Sequence, residues 1–111
     1  MNYYHKSLAS GRWKKLNLCE QMANIGSEVI RTINWRDKDK DCSKLAFFRA
    51  LELADLTIND PKNRNRLKEL TRMREALVDY FFGENIFKSS DKLWENYFLA
   101  FNWKAQLARG V

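Results

Sequence analysis

The feature that most constrains the fold is a three-residue hinge, Asn59-Asp60-Pro61, between two segments of helical character. Asp60 can cap a following helix, and Pro61 suits the first helical position because its missing N–H needs no partner there. Since the residue before a proline disfavours helix, the incoming helix is expected to end at about Asn59. So short a connection predicts two helices that lie antiparallel and side by side.

Composition favours helices throughout the chain. Its 111 residues are enough for one domain with a hydrophobic core, and we expect residues 1–111 to form that single domain. Hydrophobic residues make up 45% and charged residues 31%, as in soluble globular proteins. One proline and four glycines leave little of the turn chemistry that a sheet needs. We therefore predict an all-α fold.

Local signals divide the chain into an arm and four helices, which predicts an antiparallel four-helix bundle with short loops. We place the N-terminal arm at residues 1–16 and the helices at 17–36, 42–59, 61–82 and 91–108. Asn17 and Glu20 have the spacing of a capping box at the start of the first helix. The second helix is apolar around much of its circumference, so we expect it at the centre of the bundle or at a subunit interface.

Two expectations concern the environment of the protein. No apolar run approaches the ~20 residues that span a bilayer, and the first residues lack the apolar core of a secretory signal. We therefore expect a cytoplasmic location and no membrane partner. Cys19 and Cys42 form no C-x-x-C motif, and in a reducing compartment they are expected to be packed thiols.

One arginine falls among apolar residues of the third predicted helix. Arg74 projects into the line that contains Leu70 and Leu77, where an unpaired charge would be costly if buried. Asp55 and Glu52 on the second helix are the natural partners. We therefore predict a buried structural ion pair at the seam of the second and third helices.

The net charge of +6 is concentrated in two segments. Residues 1–15 contain basic but no acidic side chains, and residues 62–74 contain six basic side chains against Glu69 alone. A basic excess on one face is what polyanion binding requires, although basic folds without that role are equally common. Arg64, Lys68 and Arg72 recur at i, i+4 and i+8, which predicts a solvent-facing stripe. The candidate nucleic-acid-binding residues are Lys14, Lys15, Lys62, Arg64, Arg66, Lys68 and Arg72.

The fourth predicted helix is rich in aromatic residues on two sides. Trp94, Phe98 and Phe101 form a line that suits the core, whereas Leu99 and Trp103 project away from it. Such an apolar patch is typical of a partner surface, so we predict a homo-oligomer with Leu99 and Trp103 at the interface. The alternative is that the N-terminal arm folds back and covers this patch.

Signals of catalysis and of cofactor binding are almost absent from the sequence. The single histidine, His5, lies in the predicted arm, and no cysteine and histidine cluster has the spacing of a zinc site. No P-loop and no G-x-G-x-x-G motif occurs. Neighbouring carboxylates such as Glu75 and Asp79 at helical spacing are far more often ion-pair partners than acid–base catalysts. We therefore expect no enzyme, no cofactor, no metal and no small-molecule substrate.

Two functions remain open, namely nucleic-acid binding through the basic residues and a homo-oligomeric scaffold or protein-interaction module. In its layout over residues 17–108, with four helices, short loops and a basic balance, the chain resembles two groups of small four-helix-bundle proteins. These are the proteins encoded in ribosomal-RNA intervening sequences and the accessory proteins of diversity-generating retroelements. The resemblance implies a homo-oligomeric, non-catalytic partner of RNA or of a reverse transcriptase.

Overall fold

The computed structural model describes residues 11–108, so the first ten residues of the predicted arm lie outside the described residues. Within this range the chain forms four α-helices and two 3₁₀ segments, without any strand. The α-helices are α1 (Leu18–Trp35), α2 (Lys40–Ile58), α3 (Leu67–Phe82) and α4 (Asp91–Ala108), and the 3₁₀ segments are Arg12–Lys15 and Pro61–Arg66.

Contacts between the helices show that neighbours run in opposite directions. Ser43 near the start of α2 donates a hydrogen bond to the carbonyl of Thr32 near the end of α1. Asp91 at the start of α4 accepts hydrogen bonds from Arg36, just after α1, and from Tyr80 near the end of α3. The predicted all-α antiparallel four-helix bundle is therefore confirmed.

Side-chain caps explain where the first two helices begin. The predicted capping box is present, since Asn17 Oδ1 accepts from the Glu20 N–H at 2.8 Å while Glu20 Oε1 accepts from the Asn17 N–H at 3.2 Å. Helix α2 begins at Lys40, earlier than predicted, because Asp39 accepts hydrogen bonds from the backbone N–H groups of Asp41 and Cys42.

The hinge caps the following segment as expected, but the helix that follows differs from the prediction. Asp60 accepts a hydrogen bond from the Lys62 N–H, and Pro61 occupies the first position. Residues 61–66 form a 3₁₀ helix, however, and the α-helix begins only at Leu67. The physical reason is that Asn63 is buried and its amide donates to the carbonyl of Thr57 at 3.0 Å, which holds the segment in a tighter winding.

Helix α1 takes the central place that the sequence suggested for the second helix. It packs against both α2 and α4, with Met22, Ile25 and Val29 buried in the core. Its Gly26 lies against Phe98 of α4, and a Cβ atom at Gly26 would lie only 2.5 Å from the Phe98 Cβ. The glycine therefore lets the two helices approach closely.

The two cysteines are free thiols, and only one of them is partly packed. Cys19 is half-buried, whereas Cys42 is exposed on the first turn of α2. The expectation of two packed thiols is wrong for Cys42, because its side chain lies on the solvent side of that turn. The neighbouring Asp39 accepts a hydrogen bond from Cys42 and raises the pKa of its thiol.

Candidate nucleic-acid interface

A buried polar network fastens the segment before α1 to the hinge after α2. Its centre is Gln21, which is fully buried. The Gln21 Nε2 donates to the carbonyl of Trp13 at 3.1 Å and to the Asp60 carboxylate at 2.9 Å. The Gln21 Oε1 accepts a hydrogen bond from the Asn63 amide at 2.8 Å. One glutamine of α1 thus holds together the N-terminal 3₁₀ segment, the hinge residue Asp60 and the 3₁₀ segment that follows the hinge.

Trp13 anchors the N-terminal segment in the core. Its ring is buried, and its Nε1–H donates to the Thr57 hydroxyl at 3.0 Å. That hydroxyl in turn donates to the carbonyl of Leu53 at 2.8 Å. Both polar groups are satisfied, as most buried polar groups in proteins are. Trp13 therefore packs on the body of the bundle and fixes the place of Lys14 and Lys15 beside it.

Lys62 connects the two basic segments directly. Its Nζ donates to the carbonyl of Lys14 at 2.7 Å and to the Asp60 carboxylate at 2.6 Å. Burial raises the pKa of Asp60, but the hydrogen bonds from Lys62 and Gln21 outweigh it and hold that pKa below 3.8. Asp60 therefore stays ionised at neutral pH, and the charge of Lys62 is largely compensated within the protein.

All seven candidate nucleic-acid-binding residues are exposed, and the network brings together at one end of the bundle the two 3₁₀ segments that carry five of them, with α3 continuing from the second segment. They are Lys14 and Lys15 from the first 3₁₀ segment, Lys62, Arg64 and Arg66 from the second, and Lys68 and Arg72 from α3. We call this surface the basic junction. The sequence predicts the two basic segments but not their proximity, which depends on Gln21 and Trp13.

A shallow hollow of about 330 Å³ lies within the basic junction. Lys68 and Arg72, one helical turn apart on α3, line it together with the Arg66–Glu69 ion pair. That pair joins Arg66 Nη1 to Glu69 Oε2 at 3.1 Å. The hollow therefore offers the positive charges of Lys68 and Arg72, together with the guanidinium of Arg66, which is already paired with Glu69.

The predicted stripe of Arg64, Lys68 and Arg72 needs a correction. It assumes an α-helix from residue 61, but Arg64 lies in the 3₁₀ segment, so only Lys68 and Arg72 share an α-helical row. Arg64 does not line the hollow. Within residues 11–108, none of these three side chains takes part in an ion pair. The three charges therefore remain available, although they do not form one straight line.

Arg74 pairs with Asp55, but the pair is not buried. The Nε of Arg74 lies 2.7 Å from Asp55 Oδ1, with a second contact of 3.4 Å from Nη2 to Oδ2. The side chains are 36% and 42% exposed, respectively, because the arginine stem lies along the helix seam while its head reaches water. Such a pair contributes about 1 kcal/mol or less, not the several kcal/mol of a buried one. Glu52, the alternative partner, is half-buried.

The outer face of α4 carries an apolar ridge. The side chains of Leu99 and Trp103 are each 61% exposed, and Leu107, one turn further on, is 53% exposed. Trp94 and Phe98 on the opposite face are buried. The sequence predicts Leu99 and Trp103 but missed Leu107, which the same four-residue spacing would have found. The predicted covering residues before Gly11 lie outside the described part of the chain.

Comparison with known proteins gives no matching family model, no matching curated protein and no matching solved structure. The resemblance in layout to RNA-associated four-helix bundles therefore stays a hypothesis. Between residues 11 and 108, no three His, Cys, Asp or Glu side chains are grouped so that they could hold a metal ion. In the same range no helix has both the length and the apolar character needed to cross a bilayer.

Proposed function

We propose that this protein is a non-catalytic, basic helical bundle that binds RNA through the phosphate backbone at the basic junction. The observation that supports this most strongly is the hydrogen bond from Lys62 Nζ to the Lys14 carbonyl at 2.7 Å, with the Gln21 network beneath it. It makes one positive surface from two separate basic segments. The proposal includes a cytoplasmic location.

The chemistry of the basic junction suits phosphates better than bases. Its ligating groups are flexible cationic side chains, which supply affinity but little sequence information. Lys14, Lys15, Arg64, Lys68 and Arg72 are free of ion pairs within residues 11–108. Lys62 and Arg66 are already paired with carboxylates, so we expect a smaller contribution from them. RNA is the first polyanion to test because of the resemblance in layout.

A binding experiment with matched charge reversals tests this proposal. Fluorescein-labelled single-stranded and hairpin RNAs are titrated with the full chain, and binding is followed by fluorescence anisotropy. We expect Lys68→Glu combined with Arg72→Glu to weaken binding at least tenfold. The control is Lys40→Glu combined with Lys44→Glu, which makes the same change in net charge at exposed positions of α2. Its binding should stay within about threefold of the wild type.

Two results would contradict the proposal. One is the absence of binding by the wild-type chain at low salt. The other is an equal loss in both double variants, because that would reflect net charge and not a site. Circular dichroism of each variant verifies that the helices remain intact, which is expected because all four positions are exposed.

The apolar ridge of α4 favours a second candidate function, a homo-oligomeric scaffold or protein-interaction module. Three large apolar side chains, Leu99, Trp103 and Leu107, remain more than half exposed in a single chain. Exposed apolar patches of this kind mark partner surfaces. The two functions are compatible, because an oligomer would present several copies of the basic junction to one RNA and so raise its overall affinity.

A further inference from the structure

A small cavity lies at the end of the bundle opposite the basic junction. Its volume is about 220 Å³. The apolar part of its wall comes from three phenylalanines, Phe47 of α2 with Phe81 and Phe82 of α3. Its rim carries three cations, Arg36, Lys40 and Lys44. An apolar floor beneath a positive rim is complementary to an apolar group flanked by negative charges.

The aromatic surface continues out of the cavity. The ring centroid of Phe47 lies 5.0 Å from those of Phe81 and Phe82. The Phe82 ring stacks at 6.1 Å on Phe48, which lies outside the cavity. The side chains of Phe48 and Phe82 are 46% and 53% exposed. An occupant that extends beyond the cavity would therefore cover further apolar surface.

Two of the rim cations have no partner among the described residues. Arg36 forms an ion pair with Asp91. Lys40 and Lys44 take part in none of the ion pairs within residues 11–108, and both side chains are exposed. They lie four residues apart on α2, so they are neighbours on the helix surface. The rim therefore offers two positive charges that form no ion pair beside an apolar cavity, and the exposed Asp39 and Asp41, which flank Lys40 in the chain, do not line it.

We propose that this cavity is a docking site for an acidic segment of another protein that inserts one aromatic or large aliphatic side chain between carboxylates. A volume of about 220 Å³ suits one such side chain and is below the range of typical small-molecule pockets. A free small carboxylate would be held only by exposed lysines, which bind weakly. A peptide segment would in addition cover Phe48 and Phe82, and buried anchor side chains of this kind dominate protein interfaces.

This site is separate from the RNA surface and goes beyond the proposed function. Along α3, the carboxylates between Arg72 and the cavity are those of the exposed Glu75 and of the half-buried Asp79, which accepts hydrogen bonds from the backbone N–H groups of the loop after α3. On α2, Asp55 lies between the two ends of the bundle. A nucleic-acid strand on the basic junction would meet these carboxylates before it reached Lys40 or Lys44. An acidic peptide is therefore a better match to the cavity than an extension of the RNA.

A labelled peptide of defined sequence tests the proposal on the full chain. The probe is fluorescein-GSEEFEESG, and its anisotropy is measured against increasing protein at low salt. Two further peptides separate the contributions, since GSEESEESG lacks the anchor and GSQQFQQSG lacks the charges. We expect each of them to bind at least tenfold more weakly than the probe. Lys40→Glu combined with Lys44→Glu should weaken binding of the probe at least tenfold.

The RNA-site variant is the matched control. Lys68→Glu combined with Arg72→Glu changes the net charge equally, and its affinity for GSEEFEESG should stay within threefold of the wild type. Backbone amide NMR shifts on addition of peptide should concentrate at residues 40–48 and 81–82. The proposal is overturned if the two double variants bind the probe equally, if GSEESEESG binds as tightly as the probe, or if millimolar peptide shifts no amide in these segments. None of these outcomes bears on whether the wild type binds RNA, so each of the two proposals can fail without the other.

Discussion

Lys62 donates a hydrogen bond from its Nζ to the backbone carbonyl of Lys14, 48 positions earlier in the chain, at a distance of 2.7 Å. This contact brings two basic segments onto one end of the bundle. It depends on the rigid arrangement beneath it, in which Gln21 holds the Trp13 carbonyl, Asp60 and Asn63 at once. The basic junction is therefore a property of the tertiary fold.

Replacement of the central glutamine tests this dependence. Gln21→Leu removes one hydrogen bond each from the Trp13 carbonyl, the Asp60 carboxylate and the Asn63 amide, and each of these groups keeps another partner. We expect the free energy of unfolding in urea to fall by about 1–3 kcal/mol, because three hydrogen bonds of a buried network, each worth about 0.5–1.5 kcal/mol, are lost and new apolar contacts of the leucine offset only part of this loss. Asn24→Ala, at an exposed position of the same helix, should change it by about 0.5 kcal/mol or less. A Gln21→Leu variant as stable as the wild type would show that the network contributes nothing.

The close approach of α1 and α4 predicts a cost for a single added methyl group. In Gly26→Ala the new Cβ would lie 2.5 Å from the Phe98 Cβ and 2.7 Å from its Cγ, so the buried phenylalanine must move. Overpacking costs about 1–3 kcal/mol, which the better helix propensity of alanine, about 1 kcal/mol, only partly offsets. Urea unfolding should therefore show a net loss, and Phe98→Leu should partly restore the stability of Gly26→Ala. A more stable Gly26→Ala protein would disprove the close contact.

Lowering the pH should weaken the ion pair between Arg36, just after α1, and Asp91 at the start of α4. The Arg36 hydrogen bond lowers the pKa of Asp91 below 3.8, with burial acting against it and Tyr80 adding to the decrease. A carboxyl whose pKa is lower in the folded state stabilises the fold above its unfolded pKa, and this contribution is lost as the pH falls through the folded value.

Comparison with an uncharged variant isolates this contribution. Asp91→Asn should be less stable than the wild type at pH 7, and the difference should shrink as the pH is lowered from about 4 to 2. Urea unfolding at pH 7, 4 and 2 measures it. A difference that stays constant over this range would rule out the assigned role of Asp91.

The apolar ridge of α4 predicts self-association. We expect light scattering of the full chain to give a mass above the 13.2 kDa of one chain, and Trp103→Glu to reduce it to that value. Phe48→Glu, which places the same charge on an exposed aromatic of α2, should leave the mass unchanged. A monomeric wild type that associates only when residues 1–10 are removed would show instead that the arm covers the ridge.

Local signals explain why the helices could be predicted from the sequence. The cap at Asn17, the hinge at Asp60 and Pro61 and the four-residue spacings act within one or two turns, so their effect does not depend on distant residues. The 3₁₀ winding of residues 61–66 could not be predicted in this way. It follows from the burial of Asn63 against two residues outside its own segment. Gln21 is 42 positions away in the sequence, and Thr57 lies in α2.

The candidate sites were predictable only as separate residues. A helical projection gives the direction of Arg74 but not the reach of its side chain, so the pair with Asp55 was expected to be buried and is half-exposed. The seven basic residues could be named from charge alone, whereas the contact between Lys62 and Lys14 requires the packing of α1 against α2. A polar residue next to an apolar stripe, such as Gln21 beside Met22, was the available signal for that network.

The salt dependence of RNA binding tests the central proposal most directly. If Arg64, Lys68 and Arg72 each neutralise one phosphate, each adds about 0.7–0.9 to the slope of log affinity against log salt concentration. Replacement of all three by Gln should therefore flatten the slope by about 2–3, while Lys40→Gln combined with Lys44→Gln should leave it unchanged. A triple variant with the slope of the wild type would contradict the assignment of the basic junction as the RNA-binding surface.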